Sequence, residues 1–195
     1  WKLLIPFLFF AFAGTTTLTV IGLTSQQRLI KQEEREMLRL HDRIFLNELE
    51  RKGEQAIALA SVVAEDKDVQ RLLADRDRRA LNKHLVHTYV RLKLDYDISQ
   101  FHFHVPPGVS FLRLHAPTQY GDALYPYRGT IREAMRRRTS VWGLEQGETG
   151  LGIRGVVPVF QGTEVVGTVE IGHSFGRTFL QGLHCRWGID LALYV

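Results

Sequence analysis

The stretch QFHFHVPPGVSFLRLH, residues 100–115, alternates apolar and polar side chains on both sides of a turn. Successive residues of a strand point to opposite faces, so this period of two reads as two half-buried strands. Pro107 and Gly108 have turn chemistry and join them into a hairpin. Register follows from making the apolar faces coincide: Phe101 falls opposite Leu114, and Phe103 opposite Leu112. His102 then faces Arg113 and Gln100 faces His115, with His104 and Phe111 nearer the turn. One face is greasy, and the other is crowded with imidazole and guanidinium groups. Bulk water would be met by a varied polar face, so a cover is expected over both.

A second hairpin repeats the plan. In GIRGVVPVFQGTEVVGTVEIG, residues 152–172, Ile153, Val157 and Val159 share a face with Val165, Val169 and Ile171. The other face receives Arg154 near Glu170, with Thr168 and Val156. Strands are read over residues 98–104, 110–115, 141–145, 151–160 and 164–172, and a short helix over 130–138. Upstream, residues 66–94 carry Val69, Leu72, Leu73, Leu81, Leu85 and Tyr89 at helical spacings, with a break at 75–78. Helices followed by an antiparallel sheet of five strands make an α+β fold. The long helix is available to cover the greasy faces. Loops and the helix at Thr130 would roof the polar faces and leave a chamber lined by Arg, Glu and His. Such a chamber suits a small polar ligand held by bidentate, charge-assisted hydrogen bonds.

Toward the N-terminus, residues 3–23, LLIPFLFFAFAGTTTLTVIGL, carry no charge. About 20 apolar residues suffice for a helix to cross a bilayer, and a cleaved signal peptide has a shorter apolar core. Residues 1–24 therefore read as a transmembrane helix. Residues 25–64 continue as a helical stalk without Pro and with Gly53 as the single glycine. Ile30, Met37, Leu40 and Ile44 make a heptad seam suited to pairing with a second copy as a homodimer, while Leu49, Ile57 and Val63 are placed to lie on the domain. Lys2 precedes the span and Arg28, Lys31, Arg35 and Arg39 follow it, so charge alone does not set the orientation.

Composition narrows the function. The 195 residues are 45% apolar and 24% charged, with a formal net charge of +4, which is ordinary globular material. The basic residues are interspersed with acids, and the densest run, MRRR at 135–138, ends a helix where cations suit the dipole. Nucleic-acid binding is not expected. Cys185 stands alone, so neither an intrachain disulfide nor a thiolate metal cluster can form. Ser110, Ser140 and Ser174 sit in no elbow or triad, and the glycine-rich stretch 143–155 lacks the Lys-Ser/Thr ending of a phosphate loop. No enzyme activity and no cofactor are expected. The chain opens inside an apolar run and stops at LALYV, and is expected to belong to a longer protein whose output module lies elsewhere.

FHVPPGVSFLRLH, GLEQGETGLGIRGVVPVF and GTVEIGHSF, in that order, resemble the double Cache sensory domains of bacterial transmembrane receptors, a group of chemoreceptors, sensor histidine kinases and diguanylate cyclases. The resemblance implies a PAS-like fold outside the cytoplasmic membrane. It implies a membrane-distal, ligand-holding module over residues 65–175 and the start of a membrane-proximal module over 176–195. FGRTFLQGLHCRWGIDLALYV would open that second module as a helix leading into a strand. The Tyr, Arg, Trp, Tyr and Asp signature of amino-acid-binding Cache receptors is not evident here, and that ligand is not carried over.

Arg113 and Arg154 lead the candidate ligand contacts, because an inward arginine needs an anionic partner. Glu170 is such a partner for Arg154 across the hairpin. His102, Phe111 and His115 join them from the first hairpin, and Trp142 and Glu145 from a loop, VWGLEQGETG, expected to close the chamber. His102, His104 and His115 share a face, but no tight metal spacing accompanies them; no metal is assigned, and His173 at a strand end adds nothing. The reading is the periplasmic sensor portion of a receptor in the bacterial inner membrane, binding a small polar molecule, anionic if the arginines hold it. A membrane-anchored periplasmic interaction domain and a histidine-based metal sensor are the alternatives.

Overall fold

The computed structural model describes residues 4–147 and 150–189. The chain divides into two units, one up to Leu46 and one from Asn47 onward. The expected span and stalk are one continuous helix, α1 (Leu4–Ala64).

In the first unit, α1 carries a run near the N-terminus that is long and apolar enough to cross a membrane by length and composition, and none of that run is buried. Its hydroxyls are suited to that setting. Thr16, Thr17 and Thr19 donate to the carbonyls of Phe12, Ala13 and Thr15, each at 2.8 Å, which satisfies polar side chains inside the helix itself. Ile30, Met37 and Leu40 of the expected seam are exposed.

In the second unit, α1 buries Leu49, Ala56, Ala60, Val63 and Ala64. Asp66 then stops one helix and starts the next: its carboxylate accepts from the amides of Asp68 and Val69 at the head of α2 (Lys67–Ala74), the arrangement that satisfies free N-terminal donors. The predicted break is a cap-to-cap junction. Asp75 closes α2, Arg76 takes φ 59°, and Asp77 accepts from the amide of Ala80 to open α3 (Arg78–Tyr96).

The sheet follows, with β1 (Gln100–Val105), β2 (Val109–Arg113), α4 (Gly129–Arg137), β3 (Val141–Gly147), β4 (Gly150–Gln161), β5 (Glu164–Ser174) and α5 (Arg177–Trp187). Its order is β2-β1-β5-β4-β3, antiparallel at every pairing. The expected register holds: His102 pairs with Arg113 and Phe103 with Leu112, while the Leu114 amide donates to the Phe101 carbonyl. Phe101, Phe103, Leu112, Leu114, Val157, Val159, Val169 and Ile171 form the main core with α1, α2 and α3. On the other face a small second cluster of Leu124, Ile131, Ala134 and Val156 seats α4 and the segment before it. The α5 helix is as expected; the strand expected beyond it lies outside the described residues.

Two bulges correct the face assignment. Pairing slips between Phe103 and His104, so His104 meets Ser110 and Phe111 becomes the extra residue. A second slip between Val159 and Phe160 takes Val165 out of its expected core position. Val166 packs on the main core instead, and Val165 lines a groove with Met135 of α4. A bulge places two residues against one and re-aims everything beyond it.

Candidate ligand-binding site

The polar face of the sheet encloses a cavity of about 250 Å³. β1 contributes Gln100 and His102, β2 contributes Arg113, β4 contributes Arg154, and the segment from His115 to Arg128 closes over them. That segment is fixed along β2. The Ser110 amide donates to the Asp122 carbonyl, Gly121 donates to Ser110, and Leu124 donates to Gly108.

Four of the eight expected contacts, His102, Arg113, His115 and Arg154, line this cavity. Phe111 does not. As the bulge residue it packs at the edge of the main core and borders a separate groove with Arg76, Arg78 and Tyr120. Trp142 and Glu145 belong to strand β3, and not to a closing loop, so alternation puts them on opposite faces. Trp142 lies on Gly53 of α1, where any side chain at position 53 would collide with the indole. Glu145 and Glu170 are not cavity walls; they hold the arginines.

Those ion pairs form a row. Glu145 accepts from Arg128 Nε at 2.8 Å, and Arg128 Nη2 donates to Glu170 Oε2 at 2.5 Å. Glu170 Oε1 accepts from Arg154 Nη1 at 2.7 Å. Glu145 also accepts from the Thr130 amide and hydroxyl at 2.8 and 2.7 Å, so it caps α4 from a neighbouring strand, at the end that favours negative charge. Arg113 is held bidentately by Asp122 at 2.8 and 2.7 Å and also donates to the Gln119 carbonyl.

Burial sets the protonation states. It pushes the Glu170 carboxyl up, but Arg128 and Arg154 outweigh it and hold the group down at about 2. The imidazoles go the other way. Burial holds His104 down at about 3 and His102 well below its ordinary value, and it lowers His115 as well. Neutral imidazoles then serve as hydrogen-bonding walls. His102 Nε2 lies 2.8 Å from Ser110 Oγ, and His104 Nδ1 lies 2.9 Å from Thr168 Oγ1. The described residues that bring three ligand atoms together for a metal are Asp66, Asp68 and His84 on the surface, and none of the expected histidines is among them.

Arg128 is the residue that sequence reading missed. It sits in PYRGT, a stretch with turn composition. Its only sequence signal is the absence of a capping side chain at the head of α4. Asp122, Gln119 and Tyr127 were equally silent.

A family model described as the double sensory domain of two-component sensor kinases, dCache_3, matches residues 31–195. The chain belongs to this family. Two solved structures share the fold of this double sensory domain. The sensor domain of DcuS from E. coli is 14% identical with a TM-score of 0.53, covering 65% of this chain and 91% of that one. The extracellular domain of the putative histidine kinase vpHK1S-Z8 is 14% identical with a TM-score of 0.50, covering 78% of this chain and 60% of that one. The double sensory domain thus spans a little over half of the latter's length. No curated protein matches it.

Proposed function

We propose that this chain is the extracytoplasmic ligand-sensing part of a bacterial transmembrane receptor. The span anchors it in the inner membrane, residues 65–175 form the membrane-distal module that takes a small polar molecule, and residues from 176 begin a membrane-proximal module. The chain acts as a homodimer through its stalk, and ligand binding favours one of two arrangements of that pair. The free energy for the signal comes from different affinities of the two arrangements for the ligand. The observation that carries this reading is the cavity of about 250 Å³ between the polar sheet face and the 115–128 segment, walled by Arg113, Arg154, His102 and Gln100. A docking surface would carry its polar groups outward; here His102, Arg113 and Arg154 are buried.

A thermal-shift screen of the full chain in lipid nanodiscs against a library of small polar metabolites tests it. At least one compound should raise the melting temperature in a saturable way. Ala116→Phe, which fills the cavity from its wall without touching an ion pair, should abolish that shift. A shift that survives Ala116→Phe places binding elsewhere, and silence across the library removes the reading.

A further inference from the structure

The three arginines of the chamber are engaged differently. Asp122 takes both terminal nitrogens of Arg113, and Arg128 is divided between Glu145 and Glu170. Arg154 gives Nη1 to Glu170, but its Nε and Nη2 have no partner among the described residues. The residue is 2% exposed and lines the cavity, so water in bulk does not serve those donors. Nε and Nη2 lie on one edge of the planar guanidinium, the edge that matches the two oxygens of a carboxylate.

Two glycines, with no side chain to crowd it, flank that edge. A Cβ at Gly147 would fall on Arg154 Nη2, and one at Gly152 would come within 3.2 Å of Nε. Charge and volume restrict the occupant further. Arg113, Arg128 and Arg154 are balanced by Asp122, Glu145 and Glu170, and the buried imidazoles are neutral. One added negative charge is met by the unpartnered edge of Arg154. A second would find no equivalent donor pair and would be buried without compensation. A cavity of 250 Å³ equals the liquid share of about eight waters, at about 30 Å³ each.

We infer that the chamber recognises a small monocarboxylate, seated side-on on the Nε–Nη2 edge of Arg154. This rests on the sensor reading above and narrows its ligand class. The test is calorimetric titration of the full chain in nanodiscs with acetate, propionate and lactate, with their amides, and with succinate as a dianion. At least one monocarboxylate should bind about tenfold or more tighter than its amide and than succinate. Arg154→Lys keeps the charge opposite Glu170 but loses the planar edge, and should weaken that acid about tenfold or more. Gly147→Ala crowds Nη2 while leaving every charged side chain of the chamber in place and should do the same, which keeps the test decisive if Arg154→Lys does not fold. Acid and amide binding alike, or acid affinity unchanged in both variants, overturns the inference. A neutral or cationic compound that alone binds in the cavity overturns it while leaving the sensor reading standing; no binding by any compound to folded protein ends both.

Discussion

Glu170 and His104 are both fully buried, with Glu170 Oε2 3.9 Å from His104 Nε2, yet only the carboxylate is charged. Two guanidiniums compensate the carboxylate, whereas for the imidazole burial, with Arg128, Arg113 and Arg154 nearby, outweighs the pull of Glu170. His104 is therefore held near 3 chiefly by burial, and His173 near 4 by burial with the Lys52 ammonium beside it. A histidine whose folded value lies below its unfolded value, about 6.5, binds protons more readily unfolded. Its contribution to stability is complete above that value and is lost as pH falls toward the folded value. Glu170 has the same sign, but its window lies lower, between its ordinary value of 4.5 and about 2. Urea unfolding of the full chain should give a stability that is flat above pH 7 and begins to fall below about pH 6.5, before the Glu170 window opens. Each such histidine adds a slope of about 1.4 kcal/mol per pH unit within its window. His104→Gln should flatten the slope between pH 6 and 4. An unchanged slope in that variant would mean that the imidazole is not buried neutral.

The packing of α1 on the sheet depends on residues with little or no side chain. Gly155 of β4 lies so close to the helix that a Cβ there would come within 2.5 Å of the Ile57 amide nitrogen and 2.7 Å of the Ala56 carbonyl carbon. Ala56 and Ala60 are fully buried against the sheet. Backbone cannot yield as a flexible side-chain tip does, so Gly155→Ala should cost about 1–3 kcal/mol, whereas Gly162→Ala in the β4–β5 turn meets no neighbour and strains only its own φ of 61°. Denaturant midpoints of the two variants check this; a Gly155→Ala protein as stable as the parent would mean that α1 sits farther from β4. These elements were largely legible, because alternation in the two hairpins fixes which residues face the helices and helical spacing marks α2 and α3. The bulges were not. The only mark of a slip is two adjacent apolar residues, Phe111-Leu112 and Val165-Val166, and the polar–apolar pattern on either side stays intact. Arg128 escaped for a different reason. Its partners Glu145 and Glu170 are 17 and 42 residues away, and only the closed sheet brings them to it. A strand is legible over 141–145, but five glycines between residues 143 and 155 hide the period of two and suggest a closing loop for Trp142 and Glu145.

In the receptor proposed above, the part of α1 up to Leu46 bears on signalling as much as the chamber does. That unit buries none of its large apolar side chains at Ile30, Met37 and Leu40, which are 55%, 58% and 48% exposed. Together with Ile44 they repeat at the spacing of a left-handed coiled coil, and glutamate and basic side chains occupy the positions between them. A lone helix with such a seam leaves apolar area in water, which pairing with a second copy removes. The homodimer proposed above then makes a positional prediction. In membranes, with the exposed native thiol removed as Cys185→Ser, Met37→Cys and Ile44→Cys should each crosslink between chains under mild oxidation. Asp42→Cys, on the outer side of the same heptad, should remain uncrosslinked. Crosslinking that ignores the heptad would indicate random collision in the bilayer, and its absence at both 37 and 44 would leave the seam without a partner. A ligand that binds the distal chamber should shift the ratio of the 37 and 44 crosslinks, because in the proposed receptor binding is felt at the membrane as a change in how the two stalks meet.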